Sequence, residues 1–207
     1  MEAIRPVHTL ALKEWAVVVH ALSAGEQIVL LRKGGLHERH GHFATEAKEF
    51  FLFPTYVHQM AQGVKKEGSG TLRAVLESRP AEDQLLISSY AAVEELRWLE
   101  TQEQVAALAD LHCWTAETLR QRFTYGAGAG LHLFVLRVYR LPRVHILPLL
   151  KRYGGCRSWV DLAEPLSTAG ATPVVDETAF AERVRAMRKR LGLLSSVSLK
   201  GTEGLRS

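Results

Sequence analysis

Two short apolar runs, Gln27–Arg32 and Phe50–Phe53, constrain this chain most, because they fix two buried strands and put polar and basic groups at their ends. The first passes through Ile28, Val29, Leu30 and Leu31 into Arg32, Lys33, Gly34 and Gly35; the second is followed by Pro54, Thr55, Tyr56, Val57, His58 and Gln59. A polar loop containing Gly and His, Gly34–Lys48, opens between them. Pro54 is expected to stop the second strand, since it has no N–H to give to a sheet. Loops and strand ends held by a rigid scaffold are where binding residues concentrate. Arg32, Lys33, Thr55, His58 and Gln59 are therefore the first candidates for a site.

Upstream, Leu12, Trp15, Val18, Val19 and Leu22 recur at helical spacing, and Gly25 is placed to end a helix in the left-handed conformation. The consecutive valines 17–19 favour a strand instead, with residues 23–26 as a turn, so both readings stand here. Downstream, Met60–Pro80 reads as a polar surface excursion and Gln84–Trp98 as a long strand or bent pair of strands. Thr101 and Gln104 form a capping-box pattern ahead of Val105, Leu108 and Leu111, and Thr115 caps a second helix running to Phe123. A glycine-rich turn, 126–130, precedes the clearest strand, Leu131–Leu141, which Pro142 is expected to end. Residues 157–173 read as mostly irregular. Asp176 caps a last helix whose Phe180, Val184, Met187 and Leu191 form one apolar face opposite a basic one.

At 207 residues and 47% hydrophobic content, the chain has material for one core of ordinary size. The expected organisation is a core domain over 1–165, a C-terminal amphipathic basic helix over 174–192, and a disordered tail over 193–207. No apolar run approaches the ~20 residues of a membrane helix, and the first residues lack a signal-peptide layout, so a cytoplasmic location with no membrane partner is expected. Cys113 and Cys156 read as reduced thiols. The net charge of +4 and pI near 9.2 agree with a polyanionic partner. That charge gathers in two segments, Arg183, Arg185, Arg188, Lys189 and Arg190, and Arg137, Arg140, Arg143, Lys151, Arg152 and Arg157. Either group can be a solvated face or a phosphate-contacting one.

Four strings carry a resemblance: Leu12-Lys13-Glu14-Trp15, Leu31-Arg32-Lys33-Gly34-Gly35, Phe53-Pro54-Thr55 with His58-Gln59, and Leu136-Arg137-Val138-Tyr139-Arg140-Leu141. Together they resemble a bacterial domain of unknown function, family 1802, which supplies no activity. More remotely, a helix followed by Gly25 and a strand ending in Leu31-Arg32 is similar to the ASCH group of PUA-like barrels. Gln27 stands where that group usually has Lys. The ASCH resemblance implies a small barrel and recognition of RNA or a modified nucleotide. Arg32 and Lys33 beside two glycines suit phosphate, and Tyr56, Tyr139 and Trp98 suit stacking on bases. The competing reading pairs Arg32 with a nearby carboxylate and puts the aromatics in the core.

Enzymatic alternatives are thinner. His37, His40 and His42 with Glu38 cluster on a loop, but their spacing completes no closed metal site, and no cofactor motif is present. Glu46-Ala47-Lys48 has the Glu-x-Lys form of restriction-endonuclease-like nucleases, in which carboxylates hold a divalent metal; its further acid would be Glu38. Cys113 beside His112 is poorly disposed for covalent catalysis, since adjacent residues diverge by about 100° in a helix.

The sequence thus predicts an α+β protein, a small mixed β-barrel or strongly bent sheet of PUA-like form with flanking helices and a basic C-terminal helix. Its expected role is binding of a nucleic acid (RNA or DNA) or nucleotide through Arg32, Lys33, Thr55, His58, Gln59, Arg137 and Tyr139. A metal-dependent nuclease using Glu38, Glu46 and Lys48, and a protein-interaction module docking through the last helix, are the alternatives. Oligomeric state is not legible.

Overall fold

The computed structural model describes residues 7–33, 48–56, 63–65, 69–126, 128–155 and 157–193. The stretch from Val7 to Ser23 is neither all helix nor a hairpin: strand β1, Val7–Trp15, runs directly into helix α1, Ala16–Ser23. Leu12 and Trp15 therefore belong to the strand, while Val17, Val18, Val19 and Leu22 are buried on the helix. Gly25 ends the helix as expected, at φ +73°, with its N–H donating to the Leu22 carbonyl and that of Glu26 to Ala21. That double bond is the Schellman arrangement, and Gly accepts the conformation without a Cβ penalty. A Cβ there would also sit 3.0 Å from Val175 and 3.1 Å from the Val174 carbonyl oxygen.

The remaining elements are β2 (Val29–Arg32), β3 (Glu49–Thr55), α2 (Ser69–Glu77), β4 (Gln84–Leu99), α3 (Gln102–Ala106), α4 (Ala116–Thr124), β5 (Leu131–Pro148), β6 (Trp159–Ser167), β7 (Thr172–Pro173) and α5 (Glu177–Arg190). Among these residues the strands form one mixed sheet in the order β2-β5-β4-β3-β1-β6, with β7 pairing β5. β1 and β3 run parallel in the register Ala11↔Phe51 to Trp15↔Thr55, and the other pairs are antiparallel. The α+β class stands. The sheet is open rather than a closed barrel, because β2 and β6 lie at opposite ends of the order.

Four local expectations give way to tertiary context. Pro54 does not stop β3, which continues to Thr55; β3 pairs β4 only over Glu49–Phe51, so a missing N–H at 54 costs little on that edge. Pro142 does not end β5, because the β4–β5 ladder shifts register between Ile87 and Ser89 and the proline falls opposite this bulge. Residues 157–173, read as mostly irregular, contain β6, an edge strand that among the described residues pairs β1 alone and so tolerates Pro165. The excursion at 60–80 likewise holds α2, whose Leu72 and Val75 are buried. The caps, which are local, form as read: Thr101 with Gln104 closes a capping box, and Thr115 and Asp176 accept from the amides of Thr118 and Ala179.

Strand alternation divides the core between the two faces of the sheet. Leu12, Phe50 and Leu52 point to one face, where α1–α5 cover them with Val18, Leu72, Val105, Phe123, Phe180 and Met187. Ala11, Phe51 and Phe53 point to the other, joining Leu85, Ile87, Tyr90, Val160, Leu162 and Tyr153. The apolar face of α5 is thus spent in the protein's own core. No helix among the described residues is long and apolar enough to cross a membrane.

Candidate functional site

The parallel pairing of β1 and β3 brings their C-terminal ends side by side, and alternation then sends Lys13 and Thr55 to one face of the sheet and Glu14 to the other. Glu14 is buried, at 6% exposure. Its carboxylate accepts from Arg32 Nη1 at 2.8 Å and from the Trp15 amide at 2.8 Å, while Arg32 Nη1 also donates to the Lys13 carbonyl at 3.0 Å. The Thr55 hydroxyl donates to the Glu14 carbonyl at 3.0 Å, tying the two strand ends together. On the helical side, the Arg122 guanidinium lies 3.8 Å from the Trp114 ring centroid and 5.6 Å from that of Trp15, and the two indoles meet edge to face at 4.8 Å. Burial lowers the Arg122 pKa; Glu14 opposes that shift and Arg32 adds to it.

On the opposite face, Lys13 and Thr55 line a cleft of about 620 Å³ between the end of β3, the segment after α2, the start of β4 and the turn after β5. Its walls include Phe53, Pro54, Tyr56, Leu85 and Tyr153, with Arg79 and Lys151, both exposed, as further cations and Glu82 as a carboxylate. Lys13 Nζ donates to the carbonyls of Tyr153 (2.8 Å) and Gly155 (2.9 Å), so it fixes the cleft wall. The Tyr153 hydroxyl accepts from the Ala163 amide at 2.8 Å, and its ring meets Phe53 edge to face at 5.8 Å. Arg79 stands 5.8 Å from the Tyr56 ring centroid; burial raises the Tyr56 phenol pKa and Arg79 opposes it.

The residues singled out from sequence are therefore dispersed. Thr55 and Tyr56 line the cleft, Arg32 lies across the sheet in its pair with Glu14, and His58 and Gln59 fall outside the described residues. Lys33 Nζ donates to the carbonyls of Phe123, Gly128 and Gly130 beneath Trp98. Arg137 is buried against Phe180 and pairs with Glu177 at 2.8 Å, and Tyr139 stacks on Tyr90 at 4.8 Å. In the C-terminal helix, Arg183 donates to the Gly25 carbonyl, Arg188 pairs with Glu95 and Arg190 with Asp110, which leaves Arg185 and Lys189 as its exposed cations without such a partner among the described residues. Gln27 is buried, bonding the Val29 carbonyl and the Cys113 amide. Glu38, Glu46, His37, His40 and His42 lie outside the described residues. Lys13, Arg79 and Arg122 escaped sequence reasoning as site residues, and Lys151 was read only as one of a basic group; for Lys13 the only signal was the alternation of Leu10 and Leu12 into Glu14, obscured by the helix that follows without a break.

Cys113 and His112 are not poised for covalent chemistry. Burial pushes the Cys113 thiol up to about 11, and burial, aided by Lys65, pushes His112 down to about 4. His112 Nδ1 accepts from the Trp114 amide, and Nε2 is buried without a partner among the described residues. A neutral imidazole in the fold that takes up a proton on unfolding makes stability rise with pH across the interval between the two pKa values. Stability is thus expected to be whole above pH ~6.5 and to fall by about 3 kcal/mol as pH drops towards 4. Urea melts at pH 7 and 4.5 check this: His112→Gln should flatten the dependence, and an unchanged slope would refute it.

Fold and geometry define an open-sheet α+β protein with a cationic, aromatic cleft. The sequence profile described as “Domain of unknown function (DUF1802)” matches residues 11–186, and the chain belongs to that family. No curated protein matches. Among solved structures, the chain is similar to a crystal structure of an ASCH protein from Zymomonas mobilis in a serine-to-alanine form, at 12% identity and a TM-score of 0.41, covering 85% of this chain and 94% of that one. It is also similar to the crystal structure of ASCH from Zymomonas mobilis, at 10% identity and a TM-score of 0.39, covering 85% and 93%. No residue role is carried over from either.

Proposed function

We propose that the protein binds a nucleotide or a single strand of nucleic acid in the cleft beside Thr55. One observation carries this reading: Arg79 and Lys151 share with Tyr56 a cleft of about 620 Å³. That volume lies in the range of small-ligand sites, about 300–1,000 Å³. Cations beside an aromatic face suit a ligand that is both anionic and planar, because phosphate meets the guanidinium and ammonium while a base stacks on the ring. Arg140, Arg143, Arg152 and Arg157, all exposed, supply further cations on β5 and the segment after it. Arg32, Lys33 and Arg137 do not line the cleft, so in it Arg79 and Lys151 take their place as phosphate contacts.

The test is fluorescence anisotropy of labelled RNA and DNA oligonucleotides at two salt concentrations, with and without Mg²⁺. Arg79→Ala/Lys151→Ala, both exposed, is expected to keep its melting temperature, bind about ten-fold more weakly and lose about two phosphate contacts from the salt slope. Equal affinity in the double variant sinks the cleft assignment. Cleavage dependent on Mg²⁺ would favour the nuclease alternative instead.

A further inference from the structure

The cleft uses nothing of the charge cluster on the helical face of the sheet, and the bonding there is incomplete. Arg32 spends only Nη1, on Glu14 and the Lys13 carbonyl, so its Nη2 and Nε have no acceptor among the described residues. The Arg122 side chain makes no hydrogen bond or ion pair among them; its ring contacts are Trp114 and Trp15. Neither side chain is fully buried: that of Arg32 keeps 14% exposure and Arg122 is half-buried. Two guanidiniums and one carboxylate leave one positive charge in excess, and the carboxylate already accepts from Arg32 and from the Trp15 amide.

We infer that Arg122, with the free edge of Arg32, forms a second binding site, for a phosphate-type oxyanion, on the face of the sheet opposite the cleft. A guanidinium laid on an indole presents its N–H edge sideways in a fixed plane, which is the geometry that tetrahedral oxyanions accept in two-point fashion. Three elements hold the site: the end of β2 supplies Arg32, α4 supplies Arg122, and the end of β1 supplies Glu14 and Trp15 to orient them. Partial desolvation strengthens the attraction, since burial already disfavours the Arg122 charge and an incoming anion relieves that penalty. Free phosphate and the phosphate of a nucleoside monophosphate share this chemistry.

Because Arg122 stacks on Trp114 and Trp15, ligand binding is read directly as tryptophan emission. The full chain is titrated with inorganic phosphate and, separately, with adenosine monophosphate. A saturable change with inorganic phosphate is expected in the wild type and in Arg79→Ala/Lys151→Ala. Arg122→Gln is expected to weaken it about ten-fold or more, as for loss of a charge-assisted bond. Arg122→Lys keeps the charge and loses the fork; it stands in if the glutamine variant does not fold, and should weaken binding by a smaller but measurable factor. A response to the monophosphate alone that depends on Arg122 assigns the site to a nucleotide's phosphate and supports the inference. No saturable response to either probe, an undiminished response in both Arg122 variants, or loss in the Arg79/Lys151 variant instead, would overturn it. The last result would place the ligand in the cleft and leave the cleft reading intact.

Discussion

Gly130→Ala is expected to destabilise the protein by about 2–5 kcal/mol, the combined scale of a strained left-handed residue and an overpacked contact. Gly130 has φ +137°, and a Cβ there would stand 2.2 Å from Cζ2 of Trp98 and 2.8 Å from the Leu99 carbonyl oxygen. Trp98 is 41% exposed and its ring can swing outward. The Leu99 carbonyl cannot, because Leu99 opposes Leu131 at the end of the β4–β5 ladder. The glycine is also a junction: its amide donates to the Phe123 carbonyl, and its own carbonyl accepts from Lys33. Gly128→Ala is the control, since Gly128 has φ +75° with nothing within 4 Å of its added Cβ, and about 1 kcal/mol is expected there. Equal urea midpoints for the two variants would show that the clash with Leu99 is not what matters.

Glu14→Ala should be as damaging, at about 3–5 kcal/mol, because it leaves Arg32 without its buried carboxylate partner and removes a negative charge that favours the Arg122 cation. It also frees the Trp15 amide that the carboxylate caps at the strand-to-helix junction. Glu14→Ala/Arg32→Leu is expected to recover part of that loss, since it removes the cation that had paired with Glu14 and leaves only Arg122 without the carboxylate's field. Denaturant unfolding of the two variants decides the matter: a single variant within 1 kcal/mol of wild type, or a double variant less stable than the single, contradicts the role given to this pair.

What the sequence disclosed follows from how far each signal reaches. Caps at Thr101, Thr115 and Asp176 were legible because a hydroxyl or carboxylate bonds an amide two or three residues away, and no distant partner is needed. Gly25 was legible for the same reason. The proline at 142 misled because its effect depends on what faces it, and opposite it lies a bulge that only the neighbouring strand creates. β6 was missed because an edge strand with one partner can carry proline and still pair. At the site, Thr55 was visible as a polar group at a strand end. Arg79, Lys151 and Lys13 come from three separated segments, and only the parallel pairing of β1 with β3 and the turn after β5 bring them together.

The position of β1 sets an order of events for folding. It lies inside the sheet, with β3 on one edge and β6, about 150 residues later, on the other. At about 5–20 residues per second of synthesis, an edge made first stays open for several seconds or more until its partner exists. During that interval Leu10 and Leu12 sit on an unpaired strand, the kind of surface that other chains can pair with. Conditions that slow elongation between β3 and β6 should therefore lower the yield of native protein, even though every residue of the finished fold is unchanged.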